Sequence, residues 1–312
     1  MKNLIIATRK SKLALWQANF IKDELNKHYV NMNISIKECS TKGDKILDTP
    51  LAKIGGKGLF TKELEIALLQ KQAHIAVHSL KDVPTKLSEE FNLTTFTQRY
   101  DASDALLSNK YKTIQNLPNK AIIGTTSLRR KMLLKILRPD LIIKDLRGNI
   151  NTRIKKLQDN EYDAIILATT GIQKMNMQNE VKYFTPLDQN IMIPSMGQAT
   201  LCIQTLNDKS IIDIVSILND KNSYIESTIE RDFVDTLDGG CQVPIGVKAT
   251  ILDKQNINIK AIVGLPNGKE YIKDNINIKI DQYKQAGVNL ANSFIKKGAK
   301  DLLKRAFEIG FD

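Results

Sequence analysis

Apolar positions in the first two thirds of the chain fall in short blocks that alternate with amphipathic stretches. Leu4-Ile5-Ile6-Ala7-Thr8 is a compact apolar run that stops at Arg9-Lys10-Ser11. Leu13, Trp16, Phe20, Ile21 and Leu25 then recur at helical spacing, with Ser11 or Lys12 near the cap. Ile34, Ile36 and Glu38 alternate with polar neighbours as a strand. Gly55-Gly56-Lys57-Gly58 reads as a loop, followed by a helix from Thr61 to Lys71. Ile75-Ala76-Val77-His78 is a buried strand that enters Ser79-Leu80-Lys81-Asp82. The scheme then repeats. Strand Ala121–Ile123 leads to Gly124-Thr125-Thr126-Ser127 and a helix through Leu137, stopped by Pro139. Strand Leu141–Ile143 leads to Arg147-Gly148-Asn149 and a helix over 151–159, and strand Ala164–Ala168 leads to Thr169-Thr170-Gly171. Strands alternating with helices predict βαβ units, mostly parallel sheets, and a ligand at the carboxyl ends of the strands.

The last third has a different rhythm. A long helical stretch over 222–237 runs into a Gly-Gly-Cys turn. Alternating Ile/Val segments follow at 246–252, 257–263 and 271–280, then one amphipathic helix over 282–308. This predicts an α+β module with an antiparallel sheet. The fold class is therefore α/β, with two βαβ lobes and a smaller C-terminal α+β domain.

Composition adds limits. A chain of 312 residues, 42% hydrophobic and 26% charged, supports two or three domains. No run approaches the ~18 apolar residues of a membrane span, and the N-terminal segment meets Arg9 too early for a signal peptide. Cys39, Cys202 and Cys241 form no CxxC pair, which argues against a disulfide scaffold and a zinc ribbon. The expectation is a reduced, cytoplasmic protein without a membrane partner. The net charge of +12 is unevenly placed: +5 over residues 1–97, +7 over 98–194 and zero over 195–312. An excess confined to the first two thirds points to a polyanionic ligand there, whether nucleic acid, phosphates or a many-carboxylate metabolite.

Arginine narrows the position. Lysines outnumber arginines 37 to 9, yet Arg129, Arg130, Arg138, Arg147 and Arg153 fall within 25 residues. In Thr125-Thr126-Ser127-Leu128-Arg129-Arg130-Lys131, three cations occupy the first turn of a helix, where acids are preferred. Hydroxyls, free backbone N–H groups and guanidiniums together make an anion site, although a solvated basic face would give the same pattern. Arg138, before Pro139, reads as a surface helix end. The Gly55–Gly58 loop lacks the GxxxxGK[ST] spacing of a phosphate loop, so Lys53 and Lys57 are placed on a lid or rim. Asp82, at the end of a buried strand, is either a general acid/base or a helix cap. Cys241 lies in an exposed Gly-Gly-Cys-Gln-Val-Pro turn, where a thiol serves better as a nucleophile or attachment point than as packing. Cys39 and Cys202 read as core. His74 and His78 share the i,i+4 spacing of a zinc helix, but their segment is a strand, so no metal site is expected.

Six motifs then occur in order: Thr8-Arg9-Lys10-Ser11-Lys12-Leu13-Ala14-Leu15-Trp16-Gln17, Gly55-Gly56-Lys57-Gly58-Leu59-Phe60, Val77-His78-Ser79-Leu80-Lys81-Asp82-Val83-Pro84, Gly124-Thr125-Thr126-Ser127-Leu128-Arg129-Arg130, Leu146-Arg147-Gly148-Asn149 and Gly239-Gly240-Cys241-Gln242-Val243-Pro244-Ile245-Gly246. Along its whole length the chain resembles the hydroxymethylbilane synthase (porphobilinogen deaminase) family. The resemblance implies a transferase of haem and tetrapyrrole biosynthesis. It would join four porphobilinogen units head to tail with loss of four ammonia, after which water frees the linear hydroxymethylbilane. It also implies a dipyrromethane cofactor held by a thioether on Cys241, two periplasmic-binding-protein-like lobes, and a monomer. The implied domains are 1–97 with 196–217, 98–195, and 218–312.

By the same resemblance Asp82 is the catalytic aspartate. Arg9, Ser11, Lys81, Thr125, Ser127, Arg129, Arg130, Arg147, Arg153, Lys174 and Gln198 match positions that bind the acetate and propionate groups of the growing polypyrrole chain. Three positions depart from the family pattern: Lys174 stands where arginine is usual, Ala199 where glycine is usual, and Asp238 where glutamate is common. A two-lobed anion-binding protein without catalysis would share the lobes and the basic residues, but not the Gly-Gly-Cys turn. A nucleic-acid binder is disfavoured because Tyr and Phe are not interleaved with the basic residues.

Overall fold

The computed structural model describes residues 2–41, 43, 58–239 and 243–309. Lys53, Lys57 and Cys241 lie outside the described residues. The chain divides into two compact units, Met1–Tyr100 with Ala199–Ile225, and Asp101–Gln198 with Glu226–Asp312.

Unit 1 is built on a five-stranded sheet of order β2-β1-β3-β10-β4. Its strands are β1 (Asn3–Arg9), β2 (Asn33–Cys39), β3 (Ile75–Ser79), β4 (Phe91–Phe96) and β10 (Leu201–Leu206). β1 runs parallel to β2 and β3, whereas β10 is antiparallel to β3 and β4. Helices α1 (Lys12–His28) and α6 (Lys209–Ser216) bury Leu4, Ile6, Ile75, Val77 and Ile203 on one face. Helix α2 (Lys62–Leu69) covers Ala7, Cys39 and Ala76 on the other. Because both faces are covered, β1 and β3 read as continuous apolar runs rather than alternating ones. The alternation still sorts the strand ends: Arg9 and His78 fall on the α2 side and Ser79 on the α1 side.

Unit 2 repeats the plan with a sheet of order β7-β6-β8-β5-β9. It comprises β5 (Asp104–Ser108), β6 (Ile122–Gly124), β7 (Ile142–Lys144), β8 (Ala164–Ala168) and β9 (Tyr183–Pro186). Its helices are α3 (Leu128–Leu137), α4 (Ile150–Gln158) and α5 (Thr169–Lys174). Again the three parallel strands come first and the fourth, β5, is antiparallel to both neighbours. In each unit that fourth strand is the first to follow a crossing of the chain from the other unit.

The expected C-terminal module is present as an antiparallel sheet of β11 (Ile245–Ile251), β12 (Asn256–Gly264) and β13 (Tyr271–Lys279). Helices α7 (Lys221–Thr236), α8 (Tyr283–Lys296) and α9 (Ala299–Ile309) complete it. Ile262 of β12 packs into the cluster that holds Leu106, Ile123 and Met132 of unit 2. Helices α7 and α8 meet through Phe233 and Phe294, an edge-to-face pair with ring centroids 5.1 Å apart. They come so close that a Cβ at Gly287 would lie 2.2 Å from the Ile229 carbonyl oxygen. The single helix expected over 282–308 is two helices. Gly298, at φ +94°, ends α8 in the left-handed region that favours glycine, and the chain restarts as α9 at Ala299.

Candidate functional site

A small, partly open cavity lies in unit 1 at the carboxyl ends of β1 and β3. Its α1 side carries Ser11, Gln17 and Ser79, and its α2 side carries Arg9, Phe60 and Thr61. Ser11 caps α1 by accepting the Ala14 N–H at 3.3 Å, which leaves its own hydroxyl proton to donate. Gln17 Nε2 donates to Ser79 Oγ at 2.7 Å. The Arg9 guanidinium stacks over the Phe60 ring at 4.1 Å, so its planar fork is held by an aromatic face. Beyond β3 the chain makes a short 3₁₀ turn, Leu80–Asp82, anchored by the Leu80 N–H on the Thr200 carbonyl at 3.0 Å. That turn brings half-buried Asp82 to the cavity, with half-buried Lys81 beside it in sequence.

His78 also borders the cavity. Its Nε2 meets Gln204 Oε1 at 3.0 Å, and Gln204 Nε2 donates to Glu65 Oε1 at 3.0 Å. Burial, reinforced by the nearby Arg9 charge, outweighs the Gln204 bond and lowers the His78 pKa to about 4. His74 faces elsewhere, its Nδ1 accepting the Ile5 N–H at 2.9 Å. Among the described residues, no three His, Cys, Asp or Glu side chains gather as metal ligands.

In unit 2 the residues singled out from the sequence gather at the corresponding sheet edge. Ser127 caps α3, accepting the Arg130 N–H at 3.4 Å, and Thr125 Oγ1 accepts the Ser127 N–H at 3.2 Å. Arg129 and Arg130 are buried, and both turn to Asp104, which is fully buried at the start of β5. Arg130 donates to Asp104 Oδ1 from Nε at 3.0 Å and from Nη2 at 2.7 Å. Arg129 Nη1 stands 2.8 Å from Oδ2 and also donates to the Ile193 carbonyl at 2.8 Å. Burial alone would raise the Asp104 pKa, but the two guanidiniums more than reverse it and hold the carboxyl well below its usual range. Two cations share one carboxylate, so the cluster keeps one positive charge in excess, and Arg129 Nε is buried without a hydrogen-bond partner among the described residues.

Gln198 is 1% exposed, and its amide is committed inside, donating to the Ala102 carbonyl at 2.7 Å and to Asp104 Oδ1 at 3.1 Å. Arg153 Nε donates to the Gly148 carbonyl at 2.7 Å, and Arg147 and Lys174 are half-buried, Lys174 in the last turn of α5. Of the departures from the family pattern, Ala199 has a left-handed backbone at φ +69°, and exposed Asp238 pairs with Lys300 at 2.9 Å. Sequence reasoning missed Asp104, Gln17, Thr61 and Ser79. Of these, Gln17 and Ser79 stand inside the quoted motifs without being singled out, and Asp104 is an acid opening an apolar Ala-Leu-Leu run.

Each sheet thus sets arginine, hydroxyls and a helix N-terminus at the carboxyl ends of its parallel strands, and unit 1 adds an acid. This is a two-unit α/β protein whose strand ends carry the groups that suit carboxylates or phosphates, with a carboxyl side chain at its unit 1 cavity. Comparison with known proteins narrows the class. Residues 4–213 match the family model described as porphobilinogen deaminase, dipyromethane cofactor binding domain, and residues 224–296 match porphobilinogen deaminase, C-terminal domain. The porphobilinogen deaminase of Aliarcobacter butzleri is 62% identical over 311 residues, covering 100% of both chains. That of Sulfurimonas denitrificans is 53% identical over 306 residues, covering 98% of this chain and 98% of the relative. The chain belongs to the porphobilinogen deaminase family. Among solved structures, the periplasmic aliphatic sulphonate binding protein SsuA from Escherichia coli aligns at 14% identity and a TM-score of 0.40, over 75% of this chain and 70% of that one.

Proposed function

We propose that this chain is a hydroxymethylbilane synthase. It joins four porphobilinogen molecules head to tail on a dipyrromethane primer, loses one ammonia at each joining, and releases linear hydroxymethylbilane by hydrolysis. The observation that carries this reading is the unit 1 cavity, where Asp82 lies with Arg9 and Ser11 in a chain that matches deaminases over its whole length.

The residues present fit the primer. Each pyrrole brings an acetate and a propionate. The unit 2 cluster offers an excess buried positive charge and an unused Arg129 N–H beside the hydroxyl-capped first turn of α3. When bound, the dipyrromethane supplies the free pyrrole α-carbon to which each new unit is joined. In this reading Cys241 is its thioether anchor, on a C-terminal domain of 218–312, with 1–97 plus 196–217 and 98–195 as the two lobes.

Arg9, Ser11 and Lys81 in unit 1, with Thr125, Ser127, Arg129, Arg130, Arg147, Arg153 and Lys174 in unit 2, hold the carboxylates. A charge-assisted hydrogen bond contributes about 1.5–3 kcal/mol, so several retain each intermediate between additions. Gln198 acts through Asp104, whose position it helps to fix. Asp82 accepts the substrate's pyrrole N–H. As the C–N bond to the amine breaks, positive charge spreads onto that nitrogen, and the fixed carboxylate stabilises it. The protein is a cytoplasmic monomer in this reading.

Intact mass spectrometry of the native protein tests the assignment. The protein should be heavier than its sequence by two linked pyrrole units, and Cys241→Ser should lose the excess. A native mass equal to the sequence mass, from cells that make porphobilinogen, would overturn it.

A further inference from the structure

Two polar groups on the α2 side of the unit 1 cavity have hydrogen-bonding capacity that no described residue uses. Thr61 sits at the N-terminus of α2 at 1% exposure and makes no side-chain cap. Its Oγ1 is buried without a hydrogen-bond partner among the described residues. His78 is 6% exposed and, among the described residues, engages one ring nitrogen. Which nitrogen carries the hydrogen follows from its neighbours. The Glu65 carboxylate accepts, so Gln204 turns its Nε2 toward Glu65 and its Oε1 toward His78. His78 Nε2 therefore bears the hydrogen, and Nδ1 is left with a bare lone pair. The low pKa of about 4 agrees, since the ring is neutral near pH 7.

An acceptor-only nitrogen repels a carboxylate oxygen, so this wall is not made for the acid groups that Arg9 serves. Its occupant must present N–H or O–H. Porphobilinogen has two kinds of such donor: the pyrrole N–H, which Asp82 takes, and the aminomethyl group, an ammonium near pH 7. We propose that Thr61 and His78 form the seat of the leaving amine, with Gln204 and Glu65 as positioning residues that fix the ring tautomer. This rests on the deaminase reading above.

The step balances without any proton transfer. The ammonium donates one N–H to His78 Nδ1 and another to Thr61 Oγ1. The C–N bond breaks with both electrons going to nitrogen, which leaves as neutral ammonia. The pyrrole nitrogen's lone pair makes up the deficit at the methylene carbon, giving the cationic azafulvene beside Asp82. A weakly basic imidazole holds the ammonium without removing the proton it needs in order to leave. The threonine hydroxyl suits both sides of the step: it accepts from ammonium before cleavage and, after rotating, donates to the new lone pair of ammonia.

Two variants of the holoenzyme test this. Thr61→Val removes the hydroxyl at nearly constant shape. Glu65→Gln lets Gln204 turn over, so the ring hydrogen can move to Nδ1 and oppose the ammonium. Turnover of porphobilinogen is measured with the ¹⁵N isotope effect at its amine and the thermal midpoint. Thr61→Val should lose about tenfold in kcat/KM, the worth of one hydrogen bond to a charged group. Its isotope effect should rise, because C–N cleavage becomes slower than the other steps. Its midpoint should not fall, because the hydroxyl bonds to no other described residue. Glu65→Gln should move rate and isotope effect the same way. An unchanged isotope effect in both variants, whatever their rates, overturns the seat. So does a rate loss in Thr61→Val accompanied by a lowered midpoint. A wild-type protein that carries no dipyrromethane and consumes no porphobilinogen overturns instead the deaminase reading itself.

Discussion

Replacing Asp104 by asparagine keeps the shape of the side chain and removes its charge. In the native protein this fully buried carboxylate faces Arg130 Nε at 3.0 Å, Arg130 Nη2 at 2.7 Å, Arg129 Nη1 at 2.8 Å and Gln198 Nε2 at 3.1 Å. Asparagine offers a single accepting oxygen and turns an NH₂ group toward one of the guanidiniums, leaving two buried cations with no counter-charge. Removing one partner of a buried ion pair costs about 3–5 kcal/mol, against a total folding stability of about 5–15 kcal/mol. The urea midpoint followed by circular dichroism should fall accordingly, with the slope unchanged.

Acid gives an internal control. The folded-state pKa of Asp104 is depressed, so its stabilisation is complete above the unfolded value of about 4 and is lost as pH falls through that value toward the folded one. The gap between wild type and Asp104→Asn should be full at pH 7 and narrow below about pH 4. A variant within the roughly 1 kcal/mol typical of an exposed pair, or a gap of constant size on acidification, would refute the reasoning.

Three further outcomes follow from the same geometry. With its pKa lowered from 6.5 to about 4, His78 binds a proton in the unfolded chain before it does so in the folded one. Stability should therefore decline by about 3 kcal/mol as pH falls across that window, and urea titrations of His78→Gln should lack that decline. Ala199→Gly relieves a left-handed residue that carries a Cβ, so the thermal midpoint should rise by the equivalent of up to about 1 kcal/mol; a fall refutes the φ of +69°. Gly287→Ala drives a methyl into the Ile229 carbonyl and should cost about 1–3 kcal/mol, visible as faster amide exchange along α8; unchanged exchange contradicts the close approach.

Much of the fold was legible because its signals are local. β1, β3, β6 and β8 are apolar runs that end in turn chemistry, and the helices after them carry hydroxyl caps at Ser11 and Ser127 and an amide cap at Asn149. β4, β5 and β9 escaped notice for physical reasons. Phe91–Phe96 carries polar residues in its middle, Asp104 opens β5 with a charge, and Tyr183–Pro186 is too short to show a period. The break after α8 was written in Lys297-Gly298, but the amphipathic pattern continues across it and masks the stop. In the site, Asp82 and the arginine cluster could be read from motif and residue choice. The inward turn of Arg129 and Arg130 could not, because it depends on an acid about 25 residues away in a strand the sequence did not reveal. Thr61 and Gln17 likewise acquire meaning only when α1 and the start of α2 meet at one strand end.

The insertion of the unit 2 sheet between β4 and β10 also dictates an order of assembly on the ribosome. The unit 2 sheet draws its five strands from one uninterrupted stretch, residues 104–186, and can close as soon as that stretch has emerged. The unit 1 sheet needs β10, made about a hundred residues after β4, and until then β4 has no neighbour and one edge of β3 stands bare. Of the two five-stranded sheets, the one begun first is therefore closed second. Its exposed strand edge, which includes His78 and Ser79, is the part of a nascent chain most in need of shelter from other strands.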